Sequence, residues 1–147
     1  MAAPTKKVRE MVLARDGYHC VSCPNLSGHR LEMQHRQAVG AGGSKVLPEP
    51  HELATSCAVC NARYEADLQD EALARGWKVR GWVPDPGLVP MYRANDRAWL
   101  LLTSAGTCVR ITEQHAIERM HDVYGDQWDE WARDAGIETT EVKEGWR

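Results

Sequence analysis

Four of the five cysteines stand as two C-x2-C pairs, Cys20 with Cys23 and Cys57 with Cys60. Each pair forms a tight knuckle that aims two sulfurs at one point, and two knuckles supply the four thiolates of a tetrahedral structural zinc site. The expectation is one Zn²⁺ held by Cys20, Cys23, Cys57 and Cys60. The interval between the pairs is long, so it must hold structure of its own. Cys108 is left over in a strand-like run and reads as a small buried hydrophobe.

The N-terminus is basic and carries no apolar signal segment, which favours metal over disulfides and predicts a cytoplasmic chain. No apolar run approaches the ~20 residues that a membrane span needs. The 147 residues suit one domain with a small appendage. Charge is uneven. Residues 1–80 hold eleven Lys and Arg against nine Asp and Glu, whereas residues 81–147 hold seven against twelve. Any DNA contact is therefore expected from the front half, with Lys6, Lys7 and Arg9 as candidates for phosphate.

Patterning predicts a helix from Lys6 to Arg15, capped by Thr5 and stopped by Asp16 and Gly17. Residues 31–36 alternate as a strand with Leu31, Met33 and His35 on one face. Gly and Pro make residues 40–50 a loop. Residues 58–75 read as one helix ending at Gly76, with Asn61 and Glu65 on a shared face. Residues 83–90 read as a linker. Residues 99–103 and 107–111 flank a hairpin turn, and two helices follow, from Thr112 to Tyr124 and from Asp126 to Ala135. The fold class is α+β.

In order, the chain reads knuckle, strand ending in His35, Gly-rich loop, knuckle, helix. The carriers are R-D-G-Y-H-C at 15–20, M-Q-H-R at 33–36, the glycines of 40–43, Glu52 with Leu53, and C-x2-C-N at 57–61. That order resembles the zinc-bearing HNH endonucleases, in particular the small HNH proteins of actinobacterial phages. A-L-A-R-G-W-K-V at 72–79 and the prolines of 84–90 also look like the tail of those phage proteins. The resemblance covers about residues 5–92.

It implies a ββα-metal core, a hairpin packed on a helix with a catalytic Mg²⁺ or Mn²⁺ between them. The chain as a whole is expected to divide into a zinc-containing HNH-like unit at 1–82, a Pro-rich linker at 83–92, and a hairpin with helices at 93–147, the last read from the patterning alone. The resemblance also assigns roles. It makes His35 the general base, Asn61 the helix-borne metal ligand, Gln34 the occupant of the first ligand position, and Glu52 the occupant of the position of the Asn that orients the base. The chemistry suits phosphodiester hydrolysis: imidazole takes a proton near neutral pH, and a divalent cation neutralises the charge that develops on phosphate. Gln34 stands where the family has Asp or His, and Glu52 where it has Asn. With Gln34 and Asn61 both neutral, the second metal is expected to bind weakly unless Glu52 or Glu65 supplies the missing charge. The implied function is a metal-dependent DNA endonuclease. The alternative is a zinc module that no longer cuts and binds DNA, or binds a host or phage protein through its acidic, Trp-rich C-terminal region.

Overall fold

Thr5 opens the first helix as the sequence predicts. Its hydroxyl accepts from the Val8 N–H at 3.2 Å, and the helix α1 runs over Lys6–Arg15 before Gly17, at φ +73°, turns the chain. The computed structural model describes residues 2–24, 30–38 and 46–137. The glycine run of 40–43 and His29 lie outside them, as do residues 138–147.

Strands β1 (Leu31–His35) and β2 (Leu53–Cys57) form an antiparallel hairpin in which His35 faces Leu53 and Leu31 faces Cys57. A short 3-10 turn, Pro50–Glu52, leads into β2. The expected apolar face of β1 is not its buried one. Leu31, Met33 and His35 are half-buried, while Gln34 is 4% exposed and donates through Nε2 to the Trp77 carbonyl at 2.9 Å. A buried amide that finds a backbone acceptor outweighs the alternation of side-chain polarity.

The single helix expected over 58–75 is two helices, α2 (Ala58–Arg63) and α3 (Gln69–Ala74). Cys60, Tyr64 and Ala72 belong to one buried cluster with Trp77, Met91 and Leu100, while Leu73 and Ala74 belong to another with Ile117, Trp128 and Trp131. Gly76, at φ +75°, ends α3, and a Cβ there would lie 1.8 Å from the Pro90 carbonyl oxygen.

Residues 83–92 contain a 3-10 turn at Pro86–Leu88 and lead into β3 (Met91–Arg93), and Val83, Val89 and Met91 are buried. Strand β3 pairs with β4 (Ala98–Leu102), which pairs with β5 (Cys108–Ile111), so the predicted hairpin is part of a three-stranded antiparallel sheet. Cys108 is half-buried against the cluster that holds the knuckle cysteines. Helices α4 (Glu113–Tyr124) and α5 (Asp126–Asp134) follow, with Thr112 capping α4 through the His115 N–H. The Trp128 indole donates to the Ala74 carbonyl at 2.9 Å and fixes α5 to α3.

Two buried arginines tie the elements together. Arg15 pairs with Asp16 at 2.8 Å and donates to the Pro50 and Leu53 carbonyls, while Asp16 accepts the Thr55 N–H. Arg36 has no exposed surface and no carboxylate partner among the described residues. Four of its N–H groups instead reach the carbonyls of Gly76, His51, Pro86 and Val89, at 2.7–3.1 Å. Burial, with the nearby Arg15 charge, pulls its pKa down to about 9, which still leaves it a cation at neutral pH.

Candidate metal centre

The two knuckles meet because β2 carries one and is stitched to the other. The Val21 N–H donates to the Thr55 carbonyl at 3.0 Å, which lays the first knuckle along β2. Cys57 ends β2 and caps α2, and its sulfur accepts the Cys60 N–H at 3.4 Å. The sulfurs of Cys20, Cys23, Cys57 and Cys60 all lie within 4.8 Å of one another. Among the described residues this is the one group of three or more Cys, His, Asp or Glu side chains whose donor atoms converge.

The spacing fits a tetrahedral metal. Zinc–sulfur bonds of about 2.3 Å place two ligand sulfurs about 3.8 Å apart. Cys23 and Cys57 stand 3.9 Å apart, far beyond a disulfide bond of about 2.05 Å. None of the five cysteines is in a disulfide. The four-cysteine cluster can hold a metal ion.

Its electrostatics point the same way. Burial resists ionisation of Cys20, but hydrogen bonds from the Ser22 hydroxyl and from the backbone of Cys57, Ser22 and Cys23 outweigh it and lower the pKa. Cys60 is pushed far up, first by burial and then by the charge on Cys20. Four thiols this close cannot all ionise unless a cation sits among them. Around them, Ser22 bonds both Cys20, at 3.3 Å, and the buried Tyr64 hydroxyl.

The residues expected around a second metal each have a hydrogen bond or ion pair of their own. Asn61, on α2, donates from Nδ2 to Glu32 Oε1 at 2.9 Å. Gln34 gives its amide nitrogen to Trp77, and its Oε1 is buried without a partner. Glu52 accepts the Glu49 N–H at 2.7 Å across the short turn before β2. Glu65 lies past the end of α2, so it does not share a helix face with Asn61. It is exposed, with its carboxylate 3.4 Å from Lys78.

His35 ends β1 and is half-buried. Burial lowers its pKa, and the Lys78 charge adds to this while Glu52 opposes it. The Lys78 ammonium also donates to the His35 carbonyl at 3.1 Å. The ring therefore favours its neutral form at pH 7, in which one nitrogen can accept a proton.

Two features escape the sequence reading. Glu32 is the carboxylate beside Asn61, and hydrogen bonds from Asn61 and Arg30 lower its pKa. Its position two residues before Gln34 on a period-two strand was a usable signal. The second is His51, buried, with Nε2 3.2 Å from Asp85 and Nδ1 3.9 Å from Glu49 at the edge of a cavity of about 520 Å³. Asp85 is far along the chain, and no local pattern joins it to His51.

No protein-family model, curated protein or solved structure matches the chain.

Proposed function

We propose that the β1–β2 hairpin and α2 form a zinc-bound HNH-like module that hydrolyses phosphodiester bonds in DNA, with His35 as the general base. The observation that carries the reading is the placement of a neutral-leaning His35 at the end of a hairpin whose second strand runs into a four-cysteine cluster and a helix. Zinc at Cys20, Cys23, Cys57 and Cys60 is structural: with four thiolates the coordination sphere is closed and leaves no position for water.

In this reading His35 removes the proton from the attacking water, and burial supports it by keeping the imidazole unprotonated. A divalent cation, Mg²⁺ or Mn²⁺, would neutralise charge on the phosphate when bound. The residues left to hold it are Gln34, whose Oε1 lacks a partner, and Asn61, whose carbonyl oxygen is free of its Nδ2 bond to Glu32. Glu32 is better placed than Glu52 or Glu65 to lend negative charge beside Asn61. Neutral amide donors imply weak binding, and Mn²⁺ tolerates such a shell better than Mg²⁺.

The engagement of Gln34 with Trp77 and of Glu65 with Lys78 favours a second reading, a module of the same build that binds DNA without cutting it. Plasmid nicking separates the two. Wild type should nick with millimolar Mn²⁺ and less with Mg²⁺, His35→Ala should abolish nicking, and Gln34→Asp should raise it. If wild type and Gln34→Asp are both inert with either metal, hydrolysis is excluded and the binding module stands.

A further inference from the structure

A cavity of about 770 Å³ lies between the end of α3, the three-stranded sheet and the start of α4. Its wall includes Arg75 at the end of α3, Arg97 before β4 and Arg110 on β5, against one carboxylate among the described lining residues, that of Glu113. Arg75 is engaged: its guanidinium lies 4.2 Å from the centre of the Tyr92 ring and 3.5 Å from Glu71. Arg97 and Arg110 are exposed and make no ion pair among the described residues. The nearby Asp96 is already held by Arg93 at 2.7 Å.

Arg97 and Arg110 thus bring positive charge to one wall from residues 81–147, whose net charge is negative. Guanidinium groups at a concave wall suit phosphate oxygens, which they bind through paired, charge-assisted hydrogen bonds. Arg97 also sits at φ +53°, a conformation that costs a bulky residue energy, as functional positions do more often than others. The volume exceeds what a bare phosphate fills and falls in the range of small-ligand pockets, about 300–1,000 Å³. Tyr92 and Trp99, with ring centres 5.2 Å apart, add apolar wall for the group attached to the phosphate.

We propose that this cavity binds the phosphate of a nucleotide, either free or within a strand, through Arg97 and Arg110 with Arg75 behind them. The inference does not rest on the hydrolytic reading of the hairpin.

The test uses the full chain with inorganic phosphate, adenosine monophosphate and a labelled single-stranded oligonucleotide as probes, read by calorimetry and fluorescence anisotropy. Adenosine monophosphate should bind more tightly than phosphate. Arg97→Glu with Arg110→Glu should weaken binding at least about tenfold, the cost of one charge-assisted hydrogen bond. Arg97→Gln with Arg110→Gln should weaken it less, and thermal melting should show both variants folded. An oligonucleotide that binds more tightly than the mononucleotide and is equally sensitive to the arginine variants identifies a strand as the source. Equal affinity identifies the free nucleotide. Failure of all three probes to bind, or binding that neither pair of substitutions alters, overturns the proposal.

Discussion

Replacing Arg36 with Met keeps most of the side-chain volume and removes every donor. The carbonyls of Gly76, His51 and Val89 then lose the hydrogen bond that Arg36 gave them, while that of Pro86 keeps the Val89 N–H at 3.1 Å. At about 2 kcal/mol for each of the three unpaired acceptors, the gross loss is about 6 kcal/mol. Part of this is returned, because the guanidinium no longer has to be held charged out of water. Burial pulls its pKa down to about 9, so roughly half of the gross loss, on the order of 3 kcal/mol, is returned. The net expectation is a loss of about 3 kcal/mol, or about 6–12 °C in melting temperature for a chain of this size. Arg36→Lys should lose a similar amount, since one ammonium cannot span four acceptors set for a planar fork. Urea unfolding followed by tryptophan fluorescence and circular dichroism measures both variants. A loss below about 1 kcal/mol in Arg36→Met, or a Lys variant as stable as wild type, would refute the claim that the fork joins these segments.

Cys57→Ser should lose bound metal and cooperative folding together, because structural zinc contributes about 10–16 kcal/mol, more than the net stability of most domains. Elemental analysis beside circular dichroism checks this, and a natively stable variant that keeps one zinc per chain would contradict it. Gly76→Ala should cost more than about 2 kcal/mol, from a clash with Pro90 and a positive φ, as read from its melting temperature. His35 has a folded pKa below its ordinary 6.5, so the unfolded chain binds more protons in that window. Stability should therefore fall as pH drops through and below about 6.5, and His35→Gln should flatten the slope of urea midpoint against pH.

Local chemistry made much of this fold legible. Thr5 and Thr112 cap helices where their hydroxyls can reach back to an N–H, and the strand-turn-strand run around Ser104 closes as a hairpin. The four cysteines were legible because knuckle spacing is a chemical requirement that needs no tertiary context. What depended on packing was not visible. The continuous Ala, Leu and Glu pattern of residues 58–75 gives no sign that the helix stops after Arg63 and restarts at Gln69. Short β3 is set by its pairing with β4, and its neighbouring prolines masked it. In the candidate site, His35 and Asn61 could be named from the order of motifs. The partners that decide their chemistry, Glu32 and Lys78, come from pairing and from a distant turn.

The acceptors around Arg36 also bear on how such a chain can drift in sequence. Every one of them is a main-chain oxygen, so His51, Pro86 and Val89 can exchange side chains and still present the same carbonyl. The donor has no such freedom, because no other side chain offers its fan of N–H groups. A five-way junction is thereby written in one codon, and segments that meet there can diverge while the junction persists. Arg15 follows the same rule toward Pro50 and Leu53. Chains built on this junction could share its geometry while having little else in common to align.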